Sequence, residues 1–290
     1  MSPPSARPTV DAHAHVWDLD TGPPLRPTLP GVLIPDATAP LGDLIRDMDR
    51  AGVDRTVLVQ ASAHGWDNSH LAEMVAAHPE KLHGVALVDP FDPAGPEALA
   101  LWTEEHKLQG LRINAIHYPT GELEAACRPL CARAAGLGVP VCFQLGPDQV
   151  RLLAGLVAEV PDLLVVVDHL AFPDPREPSS LEPLLALSDA PGVYVKVSGF
   201  HAFSEEPYPH RDCFGFVERT YRAFGAGRLM WASNHPLVLE SATYGETLGI
   251  VDHWGFLEEG ERAEVLGGTA DRLWPAGTPS KNTSREERKS

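Results

Sequence analysis

The stretch DLLVVVDHL, Asp162 to Leu170, decides the fold. It is a short, continuous apolar run, opened by Asp, closed by Asp-His and followed by a helix-like segment, and it reads as a strand covered on both faces. Runs of the same kind recur along the chain: TVDAHAHVW (9–17), DRTVLVQAS (54–62), LHGVALVDP (82–90), LQGLRINAI (108–116), GVPVCFQLG (138–146), GVYVKVSGF (192–200) and RLMWASNHP (228–236). Amphipathic stretches with helix signals follow them: LGDLIRDMDRAG, DNSHLAEMVAAHP, GPEALALWTEEH, ELEAACRPLCARAAGLG, PDQVRLLAGLVAEVP, SLEPLLALSDA, RDCFGFVERTYRAFG and ESATYGETLGIVDHWG. Gly or Pro closes most of them. Buried strands alternating with helices predict an α/β fold with a parallel sheet, and eight such units in this length match a single-domain (β/α)8 TIM barrel. A doubly wound open sheet is the alternative. It is disfavoured because no Gly-rich phosphate loop follows the first strand.

At 290 residues and 43% hydrophobic, the chain is long enough for one large core, and no composition shift divides it. The expected organisation is a flexible N-terminus over residues 1–8, a barrel over 9–275 and a disordered polar tail over 276–290. The opening MSPPSARPT lacks the apolar core of a secretory signal, and no apolar run approaches a membrane span, so the expected compartment is the cytoplasm and no membrane partner is expected. Asn282-Thr283-Ser284 then has no role as a glycosylation acceptor. Cys127 and Cys131 lie one helical turn apart without a second pair at ligand spacing, which reads as buried inert thiols. A net charge of −17 argues against a nucleic-acid partner and leaves a small molecule as the expected one.

In a barrel the chemistry sits at the C-terminal strand ends. The first run ends in VDAHAHVW, where alternation puts His13 and His15 on one face and places Asp11 on that face too. Two imidazoles side by side suit a divalent metal; solvated or hydrogen-bonded surface histidines are the plain alternative. His169, at the end of the sixth run, supplies a third, as a ligand or as an electrophile aimed at a carbonyl. Arg112, if it faces the barrel, can grip a substrate carboxylate in a bidentate pair; a salt bridge to a neighbouring element is the alternative.

The motifs VDAHAHVWD, VDHLAFPD, VYVKVSGF, RLMWASNHP and LGGTADRLW, in that order from about Thr9 to Trp274, resemble the amidohydrolase superfamily, in its lactonase-like amidohydrolase 2 branch. The resemblance implies a TIM barrel that hydrolyses a lactone or related cyclic ester or amide, with one divalent metal (zinc or manganese) or with none. It puts the paired metal-binding histidines on His13 and His15 and the sixth-strand histidine on His169. The eighth strand of the family ends in an aspartate that acts as general base, and here that place is Asn234. An amide cannot accept the proton, though it can orient water or substrate. Three readings follow: an inactivating replacement of aspartate, a natural asparagine with His235 or His169 moving the proton, or a barrel that has kept only binding. Members that bridge two metals carry a fourth-strand lysine and a fifth-strand histidine; Arg112, Asn114 and Gln144 stand in the corresponding runs, against a two-metal site.

The leading expectation is therefore a hydrolase in which His13, His15 and His169 polarise a carbonyl, with residue 234 managing protons, possible impairment by Asn234, and metal-dependent nonoxidative decarboxylation or non-catalytic binding as alternatives. Secondary substrate-contact candidates are Gln60, His64, Trp66, His117, Tyr118, His201 and Trp17. Residues Asp18 to Pro40 are expected to form an ordered lid. His70, His78, His83, His106, His210 and His253 are read as structural or solvated residues on helices or remote loops.

Overall fold

Eight short strands form one parallel sheet in sequence order: β1 (Val10–Ala14), β2 (Arg55–Val59), β3 (Leu82–Leu87), β4 (Leu111–Ile113), β5 (Val141–Phe143), β6 (Val165–Val167), β7 (Val193–Val197) and β8 (Leu229–Trp231). The computed structural model describes residues 7–277, so most of the expected N-terminal arm and polar tail, with Asn282-Thr283-Ser284, lies outside the described residues. Arg7, the first described residue, is paired with Glu264. The ring closes beyond the last rung of β8, where Asn234 N–H donates to His13 O at 2.9 Å and His15 N–H to His235 O at 2.7 Å. The (β/α)8 barrel expected from the eight runs is the observed fold.

Two apolar layers account for the uninterrupted runs. Val10, Ala12, Val57, Val59, Val85, Cys142, Val166 and Met230 pack with one another inside the barrel, while Leu58, Ile113, Phe143, Val165, Val195 and Trp231 pack against the helices. Both sides of each strand are thus removed from water, which favours Val, Ile and Leu at successive positions. Helices α1 (Leu41–Ala51), α2 (Ser69–Ala77), α3 (Gly95–Glu104), α4 (Thr120–Leu137) and α5 (Arg151–Glu159) form the first half of the outer layer. In α1 the buried pair Leu44 and Met48 is spaced one turn apart, and Gly52, at φ 72°, stops the helix in the left-handed conformation that glycine adopts without steric cost. The helix expected over Ser180–Ala190 is only α6 (Glu182–Leu185), preceded by a 3-10 turn at Pro178–Leu181. α7 (Phe214–Phe224) follows, then three short helices, α8 (Tyr244–Gly249), α9 (Glu259–Ala263) and α10 (Thr269–Leu273). Among the described residues no helix is long and apolar enough to cross a membrane.

Two sequence readings are corrected. Asp11 does not share a face with His13 and His15. The β1–β2 register shifts between Asp11 and Ala14, and such a bulge inverts the side-chain alternation beyond it. Asp11 is turned out of the barrel, accepting from Ser233 N–H (2.8 Å), Ser233 Oγ (2.6 Å) and Tyr244 OH (3.0 Å), where it ties the end of β8 to α8. His83 is not on a helix or loop; it is the second residue of β3, buried at the N-terminal end of the barrel.

Candidate active site

On six of the eight strands, β2 and β3 excepted, polar side chains stand at the inward-facing positions just past the apolar layer. His13 and His15 come from β1, Arg112 from β4, Gln144 from just beyond β5, Asp168 and His169 from the end of β6, Lys196 and Ser198 from β7, and Asn234 from the loop after β8. All but the half-buried Gln144 are buried. His13 Nε2 and His15 Nε2 are 3.0 Å apart, and His15 Nδ1 is 2.7 Å from Val59 O. The His169 ring centroid is 4.8 Å from that of His13, and His169 Nδ1 is 2.8 Å from Ser198 Oγ. The backbone at His169 is left-handed (φ 54°), as it is through Leu170, Ala171 and Phe172. Left-handed non-glycine residues persist only where surrounding structure holds them. Gly199 is part of that surrounding: a Cβ there would meet the His169 ring at 2.6 Å.

The floor of this pocket is ionic. Lys196 Nζ is 2.9 Å from Asp168 Oδ1 and 3.0 Å from His13 Nδ1, and Arg112 Nε is 3.7 Å from Asp168 Oδ2. Two cations thus share one carboxylate. Burial works against the charge on Asp168, but Lys196, His13 and Arg112 hold its pKa well below the usual carboxylate range. Burial, with Arg112, brings His15 down to about 3; burial also brings His169 to about 3, with Lys196 and Arg112 contributing against the opposing pull of Asp168. His13 is lowered well below the ordinary value by burial and then by Lys196. The three imidazoles are neutral at pH 7, and the excess positive charge around them favours an anionic guest.

Above them opens a cleft of about 410 Å³ whose wall includes His15, Trp17, Arg112, His117 and Gln144. Gly31 to Leu33 and Pro35, from the expected lid, form part of that wall. Arg112 Nη2 donates to Gln144 Oε1 at 2.8 Å, so the guanidinium both faces the barrel and has ionic and amide neighbours. Asn234, at φ 59°, holds its Nδ2 3.4 Å from His201 Nε2 and leaves its Oδ1 without a partner. Asparagine is among the residues that tolerate this backbone conformation best.

Other candidates stand elsewhere. His235 contributes its carbonyl to the barrel seam, but its ring lines a separate cleft of about 520 Å³ on the far side of Trp17, with Nδ1 3.4 Å from His15 O. Gln60 braces the loop after β2 by donating to Asp67 O at 2.8 Å, and Asn114 donates to Ser62 Oγ. His64 is buried with its ring 6.2 Å from that of His70; neither it nor the half-buried Trp66 is in the cleft wall. His201 lines a small cavity of about 20 Å³ beside Ser198. Tyr118 OH reaches toward Asp89 at 3.4 Å. The four cysteines are free and buried, and burial pushes the Cys127 thiol up to about 12.

Sequence reasoning missed Lys196 and gave Asp168 no role. Its signal was present: in GVYVKVSGF the lone charge lies mid-strand on the face opposite Val193, Val195 and Val197, and a buried charge of that kind needs a partner.

His13, Asp168 and His169 offer ligand atoms within 4.8 Å of one another, so the distances fit one metal ion, and neutral imidazoles are the form that ligates. The carboxylate, however, already faces Lys196 and Arg112.

An eight-stranded parallel barrel with histidines converging at its C-terminal strand ends defines an enzyme of the amidohydrolase superfamily. A family profile described as Amidohydrolase matches residues 10–276, and the chain belongs to that family. It is 27% identical over 292 residues to an L-fucono-1,5-lactonase of Burkholderia ambifaria, covering 93% of this chain and 97% of that one. It is 27% identical over 257 residues to a D-galactarolactone isomerase of Agrobacterium fabrum, covering 84% and 82%. A solved structure from Pseudomonas putida, described as a 2-pyrone-4,6-dicarboxylic acid hydrolase, superposes with a TM-score of 0.79 at 26% identity, covering 94% of this chain and 99% of that one.

Proposed function

We propose that the protein hydrolyses a lactone, and that the lactone carries a carboxylate. The observation that carries this reading is the cleft with His15 and Arg112 in one wall, next to a histidine cluster whose buried neighbours are two cations and one anion. A ring ester with an attached carboxylate meets both requirements: the carboxylate pairs with Arg112, and the carbonyl oxygen, which gains negative charge as water adds, lies among imidazoles and cations. The relatives support the substrate class, since their names include two sugar lactones and a pyrone dicarboxylic acid. Gln144 uses its amide oxygen on Arg112 and supplies no fifth-strand histidine, which favours hydrolysis over decarboxylation.

In the reaction, water oxygen bonds to the carbonyl carbon, the ring C–O bond breaks, and the proton lost by the water passes to the leaving oxygen. One divalent ion, zinc or manganese, held by His13 and His169 with His15 or Asp168 as the third ligand, would polarise the carbonyl and acidify the water when bound. Asn234 holds the attacking water through its unpartnered Oδ1 but cannot take its proton. The nearby imidazoles His169 and His201, with pKa values of about 3 and 4, are weak bases at neutral pH.

The test is proton release from a panel of lactones with and without a carboxylate, by the wild type and Asn234→Asp. Asn234→Asp is expected to turn over at least ten times faster, within the 10²–10⁴ that a general base contributes, and the carboxylated lactones are expected to be preferred. Equal rates in the two forms would sink the general-base assignment. Release of carbon dioxide from an aromatic acid would overturn hydrolysis in favour of decarboxylation. Binding without turnover in both forms would make the barrel a non-catalytic receptor, and ring isomerisation without acid production would make it an isomerase.

A further inference from the structure

We propose that Lys196 is a positioning residue that fixes the ring proton of His13 on Nε2 and thereby restrains metal binding by the histidine trio. Lys196 is fully buried, with Nζ 3.0 Å from His13 Nδ1. An ammonium has hydrogens to give and nothing to accept with, so His13 Nδ1 accepts and the His13 proton resides on Nε2. That Nε2 lies 3.0 Å from His15 Nε2. On the other side of His15, Nδ1 is 2.7 Å from the Val59 carbonyl oxygen, which can only accept. The His15 proton is therefore on Nδ1 and its Nε2 is bare. The assignments made from the two ends agree: Lys196 donates to His13, His13 Nε2–H donates to His15 Nε2, and His15 Nδ1–H donates to Val59 O.

The opposite tautomer of His13 would direct Nδ1–H at Asp168 Oδ1, 3.4 Å away. It would also set an N–H against the Lys196 ammonium and leave two bare nitrogen lone pairs facing each other at 3.0 Å. A histidine that ligates a metal ordinarily gives its second N–H to a carboxylate or carbonyl, which leaves the ligating nitrogen bare. His15 has that arrangement with Val59 O. His13 does not, because Lys196 stands between its Nδ1 and that role, and Asp168 is engaged by the same ammonium at 2.9 Å. With the chain of hydrogen bonds intact, neither facing nitrogen of the pair is available: one carries a proton and the other accepts it. A metal ion using both must break the His13–His15 bond and drive the His13 proton from Nε2 to Nδ1, against the Lys196 ammonium 3.0 Å away.

The test uses the full chain, stripped of metal by chelation and labelled with ¹⁵N in its histidine rings. The His13 signals, identified by their loss in His13→Gln, are expected to report a proton on Nε2 in the wild type and on Nδ1 in Lys196→Met, where Asp168 becomes the partner. Zinc affinity, measured by competition with a chromophoric chelator, is expected to rise at least tenfold in Lys196→Met. A wild-type His13 protonated on Nδ1 would overturn the proposal, and this result stands even where the variant does not fold. A folded Lys196→Met that binds zinc no more tightly than the wild type would overturn it as well. Neither readout depends on turnover, so lactone hydrolysis and this assignment fail separately.

Discussion

The two ends of the barrel bury the same chemical types in opposite ways. At the N-terminal end, Arg55 from the start of β2 pairs with Asp271 of α10 and also donates to the Trp274 carbonyl at 3.2 Å, with His83 Nε2 3.4 Å away. At the C-terminal end, Arg112 and Lys196 share Asp168. The difference lies in what is left over. Among the described residues, His83 Nδ1 is a buried polar atom without a partner at the first end, and Thr103 Oγ1 in the last turn of α3 is another. At the second, Asn114 Oδ1, Asn234 Oδ1 and His235 Nε2 have none, and Arg112 Nε and the Asp168 oxygens face their opposite charges without an aligned hydrogen bond. Leaving buried polar atoms unmatched costs roughly 1–3 kcal/mol each. A fold tolerates several together where a ligand or water completes them, so the arrangement separates a closing end from a reacting end.

The largest effect that would break this contrast is expected from Asp168→Asn. Removing the one carboxylate leaves two buried cations without compensation, and breaking a buried pair in that way costs about 3–5 kcal/mol. Urea unfolding should show that loss, with lactone turnover falling in the fraction that remains folded; a stability change below about 1 kcal/mol would mean that the cations do not depend on Asp168. Arg55→Met is the matching experiment at the other end. Its hydrogen bonds to a charged group and a carbonyl are worth about 2–3 kcal/mol together, so stability should fall by that amount while kcat and KM of the folded protein stay within twofold. A large kcat change without a KM change would show that the N-terminal end is not merely structural.

How far the sequence revealed these ends follows from the physics of each signal. The strands were legible because burial on two faces leaves an uninterrupted apolar run, and Asp162–Leu170 and Gly192–Phe200 contain it plainly. His13, His15 and His169 were legible because a strand end is where a side chain leaves the apolar layer. Asp11 was misplaced because alternation is a rule for regular strands, and one bulge between Asp11 and Ala14 inverts it. Lys196 was overlooked because its partners, His13 and Asp168, are distant in sequence, and only barrel closure brings the three within 3.4 Å of one another. His235 looked equivalent to Asn234 in sequence, yet with the backbone left-handed at Asn234 its amide lies beside His201 while His235 lines a cleft of its own next to Trp17.

The smallest expected effect probes what the ends have in common. Burial, aided by Arg55 and opposed by Asp271, brings His83 down to about 4; burial, aided by His210, brings His201 to about 4 at the other end. Each is lower folded than unfolded, where histidine titrates near 6.5. Between these values the unfolded chain binds more protons than the native one, so the stabilising contribution is complete above about pH 6.5 and declines as pH falls toward 4. One such group contributes at most about 1.4 kcal/mol per pH unit in that window. Stability measured by urea unfolding at pH 7 and pH 5 should therefore drop by about 1–2 kcal/mol less in His83→Gln than in the wild type. His201→Gln should flatten the profile by a similar amount. Identical pH profiles for His83→Gln and the wild type would show that His83 is not held neutral by the N-terminal cluster, and the electrostatic likeness of the two ends would be lost.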